Sequence, residues 1–404
     1  MNILFLSLGR YWSVNEHEIY TDLLREFIKN GDKVYILSPI ERREHKKAEV
    51  IEEKNSQIIK VKIGNIQKTN ILEKGISTLL VEYQFLAALK RHWKDVRFDL
   101  VLYPTPPITF VKVVRYIKKR DQATAYLMLK DIFPQNAVDI GILRKKGILG
   151  VIYRYFRRKE KKLYQISDRI GCMSQANAAY IIRNNPDIDP CKVEICPNAI
   201  EPRFLSISSE EKIRLRETYG LPTDQKIFIY GGNLGKPQGI NFIIECIKKC
   251  REIKEAYFMI VGSGTEFQKL EQFVKSERPQ NIKLLSSIPR DEFERLTAAC
   301  DIGLIFLDHR FTIPNFPSRL LSYMQAGLPV LAATDVNTDI GKVIEQENIG
   351  YWCESADLDT FQSLVQKLAH EENGFADPRK VLQEKYSVQV AFRTIMEGLS
   401  IYGD

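Results

Sequence analysis

The sequence predicts an α/β protein built from two Rossmann-like domains, and three observations predict it. Short apolar runs of strand composition alternate with helix-period segments from end to end, the pattern of mainly parallel sheets. The series pauses at a turn-rich connector, NAIEPRF (198–204), and then starts again. A length of 404 residues leaves room for two substantial cores.

In the first half, strands are expected at ILFLSL, KVYILSP, IIKVKIG, DLVLYP, TAYLMLK, RIGCMS and KVEICP. Amphipathic segments separate most of them; 17–29 sets Ile19, Leu23, Leu24, Phe27 and Ile28 on one side. The second series runs through KIFIYGG, YFMIVG, NIKLLSS, DIGLIFL and PVLAAT, each followed by a helix-like stretch. The expected domains are 1–197 and 198–385, facing across a cleft. A final helix within 386–404 (Val388, Val390, Ala391, Ile395 and Met396) is expected to cross back onto the first domain.

No stretch reaches the roughly 20 apolar residues of a membrane span. The opening NILFLSL lacks a basic n-region and a cleavage site, so it reads as a buried strand. The seven cysteines are scattered; Cys246 and Cys250 share a helix face, but no second pair stands at zinc-finger spacing. Buried thiols in a reducing cytosol are the expectation. The net charge of +8 hides a split: residues 1–197 hold 35 Lys and Arg against 22 Asp and Glu, or +13, and the remaining 24 and 29 leave −5. One domain is therefore expected to face an anionic surface, nucleic acid or lipid.

Chemistry concentrates in four turns of the second half. In YGGNLGKPQG (230–239), Gly231, Gly232 and Gly235 let backbone approach a ligand, Asn233 lies between them, and Lys236 can reach a phosphate. Neither the P-loop nor the GxGxxG spacing is present. In VGSGTEF (261–267), Gly262 and its neighbour suit tight packing or a ligand. In LLSSIPRDEF (284–293), backbone at Ser287 can read the edge of a base while Ile288 packs on its face. The fourth is PNFPSRLLSYMQAGLPV (314–330). Its Phe316, Pro317, Ser318, Arg319 and Leu320 form the mouth of a helix whose free amides and one guanidinium can hold an anion. Glycines, a lysine, an arginine and a helix N-terminus suit a diphosphate joined to a nucleoside. GxSxG, CxxC and HExxH are absent from the sequence.

In this order the four motifs resemble the donor domain of GT-B glycosyltransferases, and are most similar to family 4, the retaining nucleotide-sugar enzymes. ICPNAIEPRF resembles that family's interdomain segment, and NGDKVYILSP its usual start. The two glutamates commonly found eight positions apart fall on Pro314 and Ser322, leaving Ser322 a weaker partner for the ribose. The usual phosphate-loop Arg and Lys fall on Asn233 and Gln238, leaving Lys236 and Arg319 as the charges. This variant, with LKDIFPQNAVDIG (129–141), resembles the subgroup that builds bacterial capsule and O-antigen units, including transferases of aminodeoxy sugars of the N-acetylfucosamine type.

The resemblance implies an N-terminal acceptor domain. There the loop Gly9–His17 carries Val14 and Asn15 where the family has a glycine pair, and His17 is placed either for the substrate or for a capping or surface role. Asp131 is favoured for the acceptor hydroxyl or the reacting sugar over a helix N-cap, and Thr105 in the stiff YPTPP loop faces the acceptor. It also implies a front-face retaining transfer from a nucleotide sugar, UDP favoured. The departing diphosphate takes the acceptor proton, and Lys236, Arg319 and the helix amides stabilise its charge. No cofactor and no metal are expected; the DxD look-alikes Asp187/Asp189 and Asp357/Asp359 sit in turns.

The basic stretch 144–164, read as a helix, places Ile148, Ile152, Tyr155, Phe156 and Leu163 on one stripe flanked by Arg154, Arg157, Arg158, Lys161 and Lys162. The same pattern fits a core-packed helix with a solvated basic face, or reversible docking on an anionic leaflet. The reading is a transferase at the cytoplasmic face of the membrane, acting on a lipid-diphosphate-linked saccharide and not on nucleic acid. A nucleotide-sugar epimerase would need a cleft acid–base pair that the sequence does not offer. A basic nucleic-acid-binding protein would leave the glycine turns without a purpose.

Overall fold

The computed structural model describes residues 1–66, 71–371 and 374–400, the side chains of 71, 72 and 74 excepted. It divides into two units, Met1–Glu201 with the C-terminal segment from Ser387, and Pro202–Tyr386. Residues 401–404 of the expected C-terminal segment lie outside the described residues.

In the first unit β1 (Asn2–Leu6), α1 (Ile19–Lys29), β2 (Lys33–Glu41), β3 (Val50–Glu53) and β4 (Ser56–Ile63) are followed by a long α2 (Ile71–His92). Then come β5 (Leu100–Pro104), α3 (Val111–Asp121), β6 (Thr124–Leu129), α4 (Gln135–Asp139), α5 (Gly147–Ile166), β7 (Arg169–Cys172), α6 (Gln175–Asn184) and β8 (Val193–Ile195). The strands form one sheet ordered β3-β4-β2-β1-β5-β6-β7-β8. Every pairing is parallel except β3 with β4. Strands such as LVLYP are buried along their whole length, because helices cover both faces.

The second unit contains α7 (Ser209–Thr218), β9 (Lys226–Asn233), α8 (Ile240–Lys249), β10 (Ala256–Ser263), α9 (Phe267–Glu277), β11 (Ile282–Leu285) and α10 (Arg290–Ala298). It continues with β12 (Ile302–Phe306), α11 (Arg319–Ala326), β13 (Val330–Thr334), α12 (Ile340–Gln346), β14 (Gly350–Glu354), α13 (Leu358–His370) and α14 (Pro378–Lys385). Its parallel sheet runs β11-β10-β9-β12-β13-β14. The chain winds outward from β9 in one direction and from β12 in the other. The carboxyl ends of β9 and β12 therefore flank a topological switch point, the usual ligand crevice of such sheets.

The last helix, α15 (Val388–Ser400), returns to the first unit as expected. Val388, Ala391 and Ile395 are buried with Leu23, Leu24 and Phe27 of α1, and Phe392 meets Phe27 edge-on with ring centroids 4.9 Å apart. The unit boundaries differ slightly from the expected ones. Residues 198–201 stay with the first unit because Val388 N–H donates to Ile200 O (3.0 Å) and Glu201 N–H to Asp22 Oδ2 (3.0 Å). Tyr386 stays with the second, stacked on Phe316. The cysteines are free thiols, all but Cys191 buried, and pack as small hydrophobes.

Candidate active site

At the switch point of the second unit, β9 ends in Gly231, Gly232 and Asn233. A Cβ on Gly231 would overlap the ring of Phe293, and one on Gly232 (φ +144) would lie 2.7 Å from Arg319 Nη2. These glycines are required because a ring packs against one and a guanidinium against the next. Gly262 lies beside Gly232 in the β9–β10 register, where a side chain would collide with Gly232 O, so its role is close strand packing.

Arg319, half-buried at the first position of α11, sits 5.3 Å from the Phe293 ring centroid. It has no hydrogen bond or ion pair among the described residues. The two phenols near it, Tyr230 and Tyr323, are pushed well above their ordinary value by burial and stay neutral, so neither offsets its charge. A partly desolvated cation without a counter-ion has the chemistry to pair with an anion. No side chain caps the first turn of α11.

The helix is held by Tyr323, whose hydroxyl lies 3.0 Å from Ile229 O and 2.9 Å from Leu304 O, and by Gly303, which leaves room for the Tyr323 ring. The preceding loop is tied down by Asn337 Nδ2 on Phe311 O (2.6 Å) and by the Thr338 hydroxyl on Asn315 O. Neither Phe293 nor Tyr323 was legible as a site residue; each looks like an ordinary core aromatic.

Lys236 is exposed and opens a single 3-10 turn closed by Gly239 N–H on Lys236 O (3.1 Å), and its ammonium has no partner among the described residues. Asn233 and Gln238, at the positions where the resembled family places cations, bond to each other (3.0 Å), and Gln238 Oε1 also accepts from Gly235 N–H (3.2 Å). The loop is thus closed by a neutral pair. Ser287 donates to Ser263 Oγ (2.9 Å), joining the ends of β11 and β10, with Ile288 half-buried beside it.

Several expected donor contacts have other work. Leu320 is wholly buried and its N–H donates to Pro317 O (3.3 Å), while the Phe316 ring lies against Tyr386. Pro317 and Ser318 remain half-buried at the helix mouth. Ser322 lines a narrow hollow between α10 and α11 with Phe293, Glu294 and Thr297.

In the first unit the structure corrects the expectation for Thr105. Its buried hydroxyl donates to Asp131 O (3.0 Å) and accepts from Lys130 N–H (3.0 Å) and Asp131 N–H (3.2 Å), so it staples two loops together and does not face an acceptor. Asp131 accepts from Asn136 Nδ2 (2.7 Å), and burial raises its carboxyl to about 6 despite that bond. Asn15 is exposed, and its backbone N–H donates to Ser13 Oγ (3.0 Å). His17 Nδ1 is taken by Asp22 (2.6 Å), and its Nε2 is buried without a partner. His17, Asp22 and Glu201 offer ligand atoms within 4.8 Å of one another. Arg25 already bonds to both carboxylates, which makes that cluster a poor cation site. In the look-alikes, Asp189 and Asp357 cap turns at Cys191 N–H and Thr360 N–H.

Comparison with known proteins gives the family. Residues 19–204 match the model for Glycosyltransferase Family 4, and residues 211–386 that for Glycosyl transferases group 1. The protein is a GT-B glycosyltransferase. It is 25% identical over 335 residues to the probable glycosyltransferase WbjE of Pseudomonas aeruginosa, covering 82% of this chain and 81% of that one. It is 22% identical over 271 residues to WcaI of Escherichia coli strain K12, named for colanic acid biosynthesis, covering 67% and 65%. A crystal structure of Anabaena HepE in complex with UDP and glucose shares its fold, with a TM-score of 0.70 at 14% identity over 99% of each chain.

The basic helix of this glycosyltransferase does not bury the stripe the sequence suggests. On α5 only Leu163 of those five residues is fully buried, next to Glu160 and Tyr164, while Ile148 is 86% exposed and Ile152 and Tyr155 40%. Leu149 and Val151 are also open. On α2, Ile76, Leu79, Leu80 and Tyr83 are 40–53% exposed. α3 contacts both helices, and Lys112 at its start lies over the Tyr83 ring (3.9 Å) while Lys159 of α5 pairs with Glu82 (3.3 Å). No described helix is long and apolar enough to cross a membrane.

Proposed function

We propose that this glycosyltransferase moves a sugar from a nucleoside-diphosphate donor, a UDP-sugar, to a lipid-linked saccharide in the assembly of a bacterial surface polysaccharide. The observation that carries the donor half is Arg319: a guanidinium without a counter-ion, pressed on a glycine turn at the switch point of a parallel sheet. A diphosphate supplies the missing charge, Lys236 adds a mobile ammonium, and exposed backbone at Ser287 and Ile288 meets the base. UDP in the HepE complex supports the choice of nucleotide.

The acceptor class rests on surface chemistry and on the relatives. Apolar side chains on α2 and α5, interleaved with Lys112, Arg154 and Arg158, suit reversible docking at an anionic leaflet. The names of WbjE and WcaI place such chains among glycosyltransferases, WcaI in polysaccharide synthesis. A retaining, metal-independent transfer belongs to this reading: charge growing on the leaving diphosphate is met by Arg319, Lys236 and amides, and the diphosphate accepts the proton of the attacking hydroxyl. Asp131 orients that hydroxyl or the reacting sugar. An aminodeoxy sugar of the N-acetylfucosamine type is the proposed cargo.

The test is a donor screen by thermal shift with UDP, GDP, dTDP and ADP sugars, repeated with EDTA. Stabilisation by UDP sugars alone, kept in EDTA and lost in Lys236→Ala and Arg319→Ala, supports the proposal. Silence with every nucleotide sinks it.

A further inference from the structure

The first unit holds a cleft of about 400 Å³, away from the loops that carry Thr105 and Asp131. It lies between the C-terminal half of α2 and the edge pair β3–β4. Its walls are Val50, Ile59, Val61, Ala87 and Ala88, and Lys62, Arg91 and His92 line it as well; Lys60 also borders it, but its ammonium is buried and taken by Tyr11 O (2.8 Å) and Ser38 Oγ (2.9 Å). Lys62 and Arg91 are exposed, and neither has an ion-pair partner among the described residues. Glu49 is the one carboxylate in the lining.

The cleft continues a surface described above. Residues 76, 79, 80, 83 and 87 recur at helical spacing and share one side of α2. The first four are the exposed Ile76, Leu79, Leu80 and Tyr83, and Ala87 is a wall of the cleft. An open apolar stripe therefore leads directly into an apolar hollow with two free cations in its lining. The volume is that of a small-molecule site. The aliphatic side chains of Val50, Ile59, Val61, Ala87 and Ala88 suit hydrocarbon, with the charged groups of Lys62 and Arg91 in the same lining.

We infer that this cleft takes one hydrocarbon chain of an anionic phospholipid drawn from the bilayer, its phosphate resting on Lys62 and Arg91 with His92 beside them. The site makes docking lipid-specific: apolar residues on α2 and α5 give general adhesion, and the cleft selects a negatively charged lipid by its head. The inference deepens the membrane reading above.

Its test uses the full chain on phosphatidylcholine vesicles doped with phosphatidylglycerol bearing a photoreactive acyl chain, with adducts mapped by mass spectrometry. Adducts are expected at 48–50, 59–62 and 87–92. They should fall about tenfold in Arg91→Glu, a surface change that leaves the fold alone, and in Ala88→Phe, which fills the hollow. Adducts confined to 76–83 and 142–155, or undiminished in both variants, overturn the inference. Soluble short-chain phosphatidylglycerol below its micelle concentration separates the two readings. Saturable one-site binding lost in Arg91→Glu upholds the cleft even where vesicle association fails. Absence of that binding, together with vesicle adducts only on the helix surfaces, leaves docking standing and removes the cleft.

Discussion

Arg319 carries a desolvation penalty that a bound anion would relieve. A half-buried guanidinium with no carboxylate beside it costs folding free energy, and replacing it by an apolar chain of similar length removes that cost. Arg319→Met should therefore raise the melting temperature of the ligand-free protein, by the equivalent of about 1 kcal/mol, while weakening UDP binding about 10- to 100-fold. Calorimetry of both forms with and without UDP checks it; a destabilised variant that still responds to UDP would exclude the anion role. Asp131 makes a prediction of opposite chemistry. Its carboxyl, raised by burial from an ordinary 3.8 to about 6, is neutral in the fold at pH 5 but ionised in the unfolded chain. Stability thus falls as pH climbs from about 4 to 6, by on the order of 3 kcal/mol at neutral pH. Asp335, likewise raised to about 6 by burial, adds to the trend. Asp131→Asn should melt higher than the parent at pH 7.5 and equally at pH 3.5, and should remove an apparent pKa near 6 from the pH–rate profile.

At the scale of the element, α11 is placed by a ring meeting a glycine. Gly303→Ala puts a methyl where the Tyr323 ring lies, in a fully buried position, and should destabilise the protein by about 1–3 kcal/mol in urea unfolding. Because Arg319 stands one turn before Tyr323, UDP affinity should fall with it; unchanged affinity would show that the helix is fixed by other contacts. The docking elements make a separate prediction. Leu80→Glu with Ile152→Glu should abolish cosedimentation with anionic vesicles and leave the melting temperature within a degree or so, since both residues are at least 40% exposed. Most elements were legible because buried parallel strands read as continuous apolar runs and their helices keep a 3.6 period. β3 was missed because VIEE is short, half charged and on an edge; β14 because GYWCE follows α12 with only Asn348 and Gly350 as punctuation. The glycine turns and Arg319 could be read in advance, whereas the roles of Thr105 and Phe316 could not. A hydroxyl or a ring does not announce whether its partner will be a substrate or its own chain.

At the scale of the molecule, the charge split and the double winding were both visible in the sequence. The return of the last helix was visible too, since Val388, Ala391 and Ile395 needed a partner. That helix gives the first unit three buried apolar side chains and the Phe27–Phe392 pair. Its removal should cost on the order of 5 kcal/mol, comparable to the whole stability of a small domain. A chain ending at Tyr386 should therefore lose the calorimetric transition of the first unit and keep that of the second. Loss of both, or of neither, would contradict the division at Glu201 and Ser387.

That division bears on how the protein is made. The second unit is one unbroken stretch, so it can fold on the ribosome as soon as residue 386 has emerged. The first unit, though translated earlier, must wait with part of α1 uncovered until Val388–Ser400 has been made. A chain stalled after residue 386 would then display a finished second unit beside an incomplete first one with bare Phe27, a species for chaperones and proteases to recognise.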